Sequence, residues 1–183
     1  LLETHRAEDL KVETVLSESG VSSGSLYHHF SDLADLIDHA MIARFATYAD
    51  NNIEALIGLA DKARDREALA ALLGAYNAVQ VAPDRAAARK MRVQVVARAT
   101  TDERFRTHFL AEQDRIIAAV ADIARELQTR GLVDSTLDPT AIAMFFSIYN
   151  IGLVLNDLAS DPATPDALLT VMSRFVNNAL IAD

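Results

Sequence analysis

Cysteine is absent, so the chain has neither disulfides nor thiolate metal sites, and a reducing cytoplasm is its natural compartment. Glycine (6) and proline (4) are scarce among 183 residues while hydrophobic residues reach 51%, which favours helix nearly throughout and a sizeable core. No segment alternates as a half-buried strand must. Ala141 to Asn156 is the longest uncharged run, but it contains Ser147 and two Asn and falls short of a bilayer span, and Leu1-Leu2 is too short for a signal peptide. No membrane association is expected. Nothing orders Ser, His and Asp as nucleophile, base and orienter, and there is no Gly-rich phosphate loop, so the composition argues against an enzyme. His5, His28, His29 and His39 fall near Asp32 and Asp35, yet Ser31 separates His28 from Asp32 and no second matched pair is present. No metal or other cofactor is expected.

Positive charge is also in short supply. The chain carries 17 basic and 26 acidic residues, a net charge of -9. In the first fifty residues Arg6, Lys11 and Arg44 stand against nine carboxylates, a balance of -6. Phosphate neutralisation dominates most DNA affinity, so a nucleic-acid reader here would rest on neutral donors and on basic residues upstream. The chain opens on Leu1 rather than Met, which points to such upstream residues.

Apolar residues recur at helical spacing, with clear stops. Leu1 to Thr4 reads as a helix tail and His5 to Leu10 as a polar connection. A long amphipathic helix capped by Ser31 or Asp32 carries Leu33, Ile37, Ala40, Met41, Phe45 and Tyr48 and extends toward Leu59. Arg66 to Val81 comes next, then Asp84 to Thr100 with Arg85, Arg89, Lys90 and Arg92 expected on its surface and Met91 and Val95 inward. A helix capped by Thr101 or Asp102 runs through Arg130 and ends at Gly131. Asp138-Pro139 opens a helix to about Ala159, and Thr164-Pro165 opens the last, to Ile181. The helix from Ala141 is apolar around its whole circumference, so more than one neighbour must cover it. The expected cover is the terminal helix on one side and a second copy of the chain on the other, with Ile148, Ile151, Leu155, Met172 and Phe175 in a homodimer interface.

The most specific stretch is Val12 to Phe30. Val12, Val15 and Leu16 share a helix face, Gly20 ends that helix, Val21 is expected as a buried pin, and Ser22 caps a second short helix. In that helix Ser23, Gly24 and Ser25 form an exposed first turn while Leu26 and Phe30 face inward. This is helix-turn-helix geometry.

Gly20-Val21-Ser22 followed by Leu26-Tyr27-His28-His29-Phe30, with Asp32, Asp35 and Leu36 beyond, strongly resembles the DNA-binding segment of the TetR family of bacterial transcription regulators. The resemblance is detailed over roughly residues 10 to 40 and architectural elsewhere. It implies an all-α chain with a helix-turn-helix DNA-binding domain over 1–48, its first helix truncated, joined by a continuous helix to an effector-binding and dimerisation domain over 49–183. It implies a ligand-responsive repressor that binds double-stranded DNA at a palindromic operator as a homodimer and is released by a small-molecule effector. Carried over residue by residue, Ser23, Gly24 and Ser25 face bases, while Lys11, Ser22, Tyr27 and His28 match phosphate-contacting positions. Where the family commonly has Lys after the Phe and a basic residue in the recognition turn, this chain has Leu33 and Ser23. That departure leaves an alternative open: a TetR-like helical module for small molecules or protein partners, with weak or lost DNA binding. Inward-facing candidates for an effector pocket are Tyr76, Met91, Val95, Phe109, Gln113, Phe145 and Tyr149, a lining suited to a hydrophobic or aromatic molecule.

Overall fold

The computed structural model describes Leu1 and residues 9–181, and its regular structure is helical throughout. The expected helix tail over 1–4 and most of the connection over 5–10 lie outside the described residues. α1 (Val12–Ser19) ends at Gly20, whose φ of 69° is the left-handed turn that glycine takes without strain. α2 (Ser23–His29) begins at the Ser22 cap, where the Ser25 amide donates to Ser22 Oγ at 3.1 Å. Leu10, Val15 and Leu26 are the buried side chains of this corner. Val21 is not a buried pin: it stands outside the turn, 43% exposed, because these three already fill the corner.

α3 (Leu33–Lys62) is capped by Asp32 and runs unbroken for 30 residues, about 45 Å at 1.5 Å per residue. It passes straight through position 48, so no linker separates the head from the body. α4 (Arg66–Val81) and a 3-10 turn (Pro83–Arg85) lead into α5 (Ala86–Thr101), and Asp102 caps α6 (Glu103–Thr129). α6 ends at Gly131 with φ 71°, where the Leu132 amide donates to Leu127 and the Gly131 amide to Gln128.

α6 lies alongside α3 and runs in the same direction, tied at three heights. Arg104 pairs with Asp35 at 2.7 Å, Arg115 with Asp50 at 2.6 Å, and Arg130 donates to the Ala60 carbonyl at 2.8 Å. Hydrogen bonds to Glu112 and Asp50 push the Arg115 pKa well above its ordinary value, so that guanidinium is a fixed cation. α7 (Pro139–Gly152) packs on α6, and α9 (Pro165–Ala179) packs on α4.

Besides Val21, three features differ from the sequence reading. The helix expected to reach Ala159 breaks at Leu153 and resumes as the single turn α8 (Val154–Asp157), because Gly152 weakens it and Asn156 exchanges two hydrogen bonds with Ala163, at 3.1 and 2.8 Å. Pro139–Asp157 taken together is long and apolar enough, by length and composition alone, to cross a membrane, although the uncharged run inside it is shorter. Arg89 and Arg92 are not on the surface; they are 3% and 8% exposed.

The apolar interior falls into two main clusters. One, next to the head, gathers Phe45, Val95, Phe105, Phe109 and Ile116. The other, at the far end, gathers Leu59, Leu69, Leu73, Leu127, Leu132, Ile142, Met172 and Val176. α3 and α6 cross from one to the other.

Candidate functional site

The outer face of the head presents every side chain expected to meet DNA. Lys11, Ser22, Ser23, Gly24, Ser25, Tyr27 and His28 are all exposed, Tyr27 to 51%. At the other end of α2 the rings of His29, Phe30 and His39 follow one another edge to face, and His39 lies 4.9 Å from His108 of α6. Of the histidines noted as possible ligands, His28, His29 and His39 form ring contacts and His5 lies outside the described residues; no group of three or more His and carboxylates close enough to hold a metal occurs among the described residues.

Behind the head, its carboxylates meet arginines of the body. Asp35 accepts from the Ser31 amide at 2.9 Å and from Arg104 at 2.7 Å, and Arg104 also reaches Asp32 at 3.6 Å. The Ser31 amide, then Ser31 Oγ and Arg104, hold the Asp35 carboxyl below its usual range against the opposing effect of burial. Asp38 pairs with Arg98 of α5; burial pushes its carboxyl up and the guanidinium only partly offsets this. With Asp50, held by Arg115, four of the nine acidic residues counted against DNA binding are therefore occupied by arginines of α5 and α6. The head is less repulsive to phosphate than its composition implies.

Between the two apolar clusters lies a cavity of about 130 Å³. That is close to the roughly 150 Å³ of an engineered apolar cavity that holds benzene. α3 supplies Phe45, Tyr48, Ala49, Asn52, Ile53 and Leu56; α4 supplies Leu73 and Tyr76; α5 supplies Arg92. α6 contributes Gln113, Ile116, Val120 and Ile123, and α7 contributes Ile142, Phe146, Ser147, Asn150 and Ile151. Tyr48, Asn52 and Tyr76 also line a shallower groove outside, with Gln80 and Arg85. Burial raises the Tyr76 hydroxyl to about 12, so it is a neutral hydrogen-bonding group at any ordinary pH.

Several polar groups in and behind the cavity wall are satisfied. Tyr48 donates to Gln80, Gln80 Nε2 donates to Asn52 Oδ1 at 3.0 Å, and Asn52 Nδ2 donates to the Tyr48 carbonyl at 3.0 Å. Arg89, one turn before Arg92, binds Asp157 through both Nε and Nη2, at 2.7 and 2.6 Å, and reaches the carbonyls of Gln80 and Ala82. These bonds hold the Asp157 carboxyl below its usual range. Arg92 differs. Its Nε and Nη2 are buried with no hydrogen-bond partner among the described residues, and its guanidinium lies 4.9 Å from the centre of the Tyr48 ring. A cation–π contact is worth about 0.5–2 kcal/mol, against several kcal/mol for removing a cation from water. Burial lowers the Arg92 pKa, but guanidinium stays protonated at neutral pH. The cavity wall thus holds one charge, a cation, and no carboxylate among its described residues.

Of the effector candidates named from sequence, the structure brings Tyr76 and Gln113 to the cavity and leaves the others elsewhere. Met91, Val95 and Phe109 belong to the apolar cluster next to the head. Phe145 is 39% exposed and stacks on Phe175 at 5.1 Å, and Tyr149 packs on the far cluster with its hydroxyl buried and without a partner among the described residues. Sequence reasoning missed Arg92, Asn52 and Asn150. A signal for Arg92 was present: positions 89, 92, 95 and 99 form one helical stripe, and all four are buried.

A third feature is a band of exposed apolar side chains. Ile148 is 62% exposed, Leu155 72%, Leu158 77%, Val171 70% and Phe175 49%. Ile151 is half-buried at the cavity wall. Met172, named for the interface, is 4% exposed inside the far cluster, because it lies on the face of α9 turned to α4.

A family model described as the C-terminal domain of BetI-type transcriptional repressors matches residues 65–180. Two solved structures share the fold. One, a candidate transcriptional regulator of Saccharomonospora viridis in complex with choline, is 16% identical, with a TM-score of 0.66 over 100% of this chain and 93% of that one. The other, a candidate TetR-family transcriptional regulator of Mesorhizobium loti MAFF303099, is 17% identical, with a TM-score of 0.69 over 96% of this chain and 89% of that one. Among curated proteins none matches the sequence.

Proposed function

The chain belongs to the TetR family of transcription regulators, a non-enzymatic family, with a C-terminal domain of the BetI type, and on that premise we propose that it is a cytoplasmic ligand-responsive repressor. Residues 1–48 serve as the DNA-binding domain and residues 49–183 as the effector and dimerisation domain. Two copies join through the exposed apolar band of α7, α8 and α9, including Ile148, Leu155 and Phe175, with no membrane involved. Their paired α2 helices enter successive major grooves of a palindromic operator. Ser23, Gly24 and Ser25 read base edges, and Lys11, Ser22, Tyr27 and His28 hold phosphates.

The observation that carries this reading is α3. One unbroken helix starts at the Asp32 cap beneath the recognition turn and then walls the cavity with Phe45, Tyr48, Asn52 and Leu56. A ligand that favours one position of those side chains favours one position of the head. The pairs Asp35–Arg104 and Asp38–Arg98 fasten the same end of α3 to α5 and α6, which also line the cavity.

The acidic head favours one second reading, a helical ligand-binding module without DNA binding. Fluorescence titration of the protein against DNA from upstream of its own gene, across a salt series, separates the two. The expected result is saturable binding at low salt whose logarithmic slope counts the phosphate contacts. No binding at low salt overturns the repressor reading.

A further inference from the structure

Choline sits in one structural relative, which makes the sign of the charge in this cavity decisive. A quaternary ammonium needs carboxylates or a ring of aromatic faces and is repelled by a fixed cation. Here no described residue of the lining is acidic, and the one charged group is Arg92, 8% exposed. We propose that the effector is a small monocarboxylate with an apolar body, its carboxylate bound by the Nε–Nη2 edge of Arg92. The proposal rests on reading this cavity as the effector site.

The neighbouring turn of α5 shows what such an edge does in this protein. Arg89 offers Nε and Nη2 to the two oxygens of Asp157 in a fork-to-fork pair. Arg92 offers the same two donors, buried and without a protein acceptor among the described residues, at the wall of the cavity. The Tyr48 ring centre lies 4.9 Å from the guanidinium, a cation–π contact. Arg85 approaches the same ring at 6.0 Å and lines the outer groove, so a second cation stands close to Arg92. One guanidinium neutralises one negative charge, and the rest of the wall is mostly hydrocarbon, from Phe45, Leu73, Ile116 and Phe146. A dianion such as a phosphate ester would keep an uncompensated charge there, whereas an aromatic or branched-chain acid of benzene size matches both volume and chemistry. Asn150 Oδ1, buried in a residue of the same wall and without a partner among the described residues, accepts any hydroxyl that such an acid carries.

Calorimetric titration of the full chain with phenylacetate, isovalerate, phenylacetamide and choline tests this. At least one acid should bind tenfold or more tighter than the amide and choline. Arg92→Gln should lose at least tenfold for that acid while leaving the amide unchanged, and Arg92→Lys should keep part of the gain. Equal binding of acid and amide, tighter binding of choline, an unaffected Arg92→Gln, or no binding of either acid at millimolar concentration would each overturn the proposal. Operator release, measured beside it, separates the two readings. Release by choline with none by the acids sinks the carboxylate and keeps the effector site. Acid binding through Arg92 without release supports the carboxylate and removes the site from regulation.

Discussion

At the start of α3 the chain buries carboxylates beside arginines, whereas in the middle of α5 it buries an arginine beside tyrosines. Asp35 is 8% exposed and held by Ser31 and Arg104, and Asp38 is 3% exposed and paired with Arg98. Arg92 is buried to the same degree, yet two of its donors lack partners among the described residues. A paired buried charge costs little once its partner is in place and is strongly missed when the partner goes. An unpaired one remains a standing penalty that the rest of the fold must offset. The first kind fastens elements together; the second marks a place where an outside group has something to gain. α5 contains both kinds one turn apart, in Arg89 and Arg92, and that pair of positions gives the sharpest tests.

The largest effect should come from breaking the paired one. Asp157→Ala leaves Arg89, 3% exposed, with only the carbonyls of Gln80 and Ala82, and should cost about 3 kcal/mol by urea unfolding. The loss should be pH-dependent. Because Arg89 holds the folded Asp157 pKa below its unfolded value, the contribution is whole above about pH 4 and drains as the pH falls through the depressed folded value. The gap between wild type and Asp157→Ala should therefore narrow below about pH 4. A constant gap across that range would show that Asp157 acts by packing rather than by charge.

The opposite sign is expected at Arg92. Arg92→Met keeps the apolar stem and removes the unpaired cation, and should stabilise the ligand-free protein by about 1–2 kcal/mol, a few degrees in thermal unfolding. A loss of stability of similar size would mean that Arg92 is satisfied without a ligand, and the contrast with Arg89 would collapse.

The same contrast explains what could be read from the sequence. Ser22, Asp138 and Thr164 were legible as caps, and Asp32 and Asp102 each as one of two adjacent candidates, because a cap is a contact with the amide three residues on and needs no knowledge of the fold. Gly20 and Gly131 were legible as stops for the same local reason. Arg89 and Arg92 were misplaced because charge normally means solvent, and the partner that brings Arg89 inside, Asp157, lies 68 residues away. Their spacing with Val95 and Ala99 did mark the buried stripe, but a charged residue on an apolar stripe is resolved only by tertiary contacts. The cavity was legible as an apolar pocket among the middle helices and not as a set of residues. Met91, Val95 and Phe109 have the same pattern as true lining residues and differ only in which side of the α3–α6 contact they occupy. The apolar circumference of α7 was legible, and the single chain leaves Ile148 and Leu155 exposed, as a surface awaiting a second body would be.

The smallest effect belongs to the head, where, on the repressor reading, paired charge bears on DNA more than on folding. Arg104 bridges Asp32 and Asp35 from a half-exposed position, so Arg104→Gln should barely move the unfolding midpoint. It should instead release two carboxylates beneath the recognition turn and weaken operator binding about 3- to 10-fold at low ionic strength. Because the effect is long-range Coulombic, it should fade once the salt shortens the Debye length to a few ångströms. An unchanged affinity at low salt would show that Asp32 and Asp35 lie too far from the phosphates to matter, leaving Lys11, Ser22, Tyr27 and His28 to set the electrostatics alone. A loss that persists at high salt would have a different meaning. It would indicate that Arg104 holds the start of α3 in the orientation that DNA requires, and that the clamp between head and body is part of the route by which a ligand in the cavity is felt at the operator.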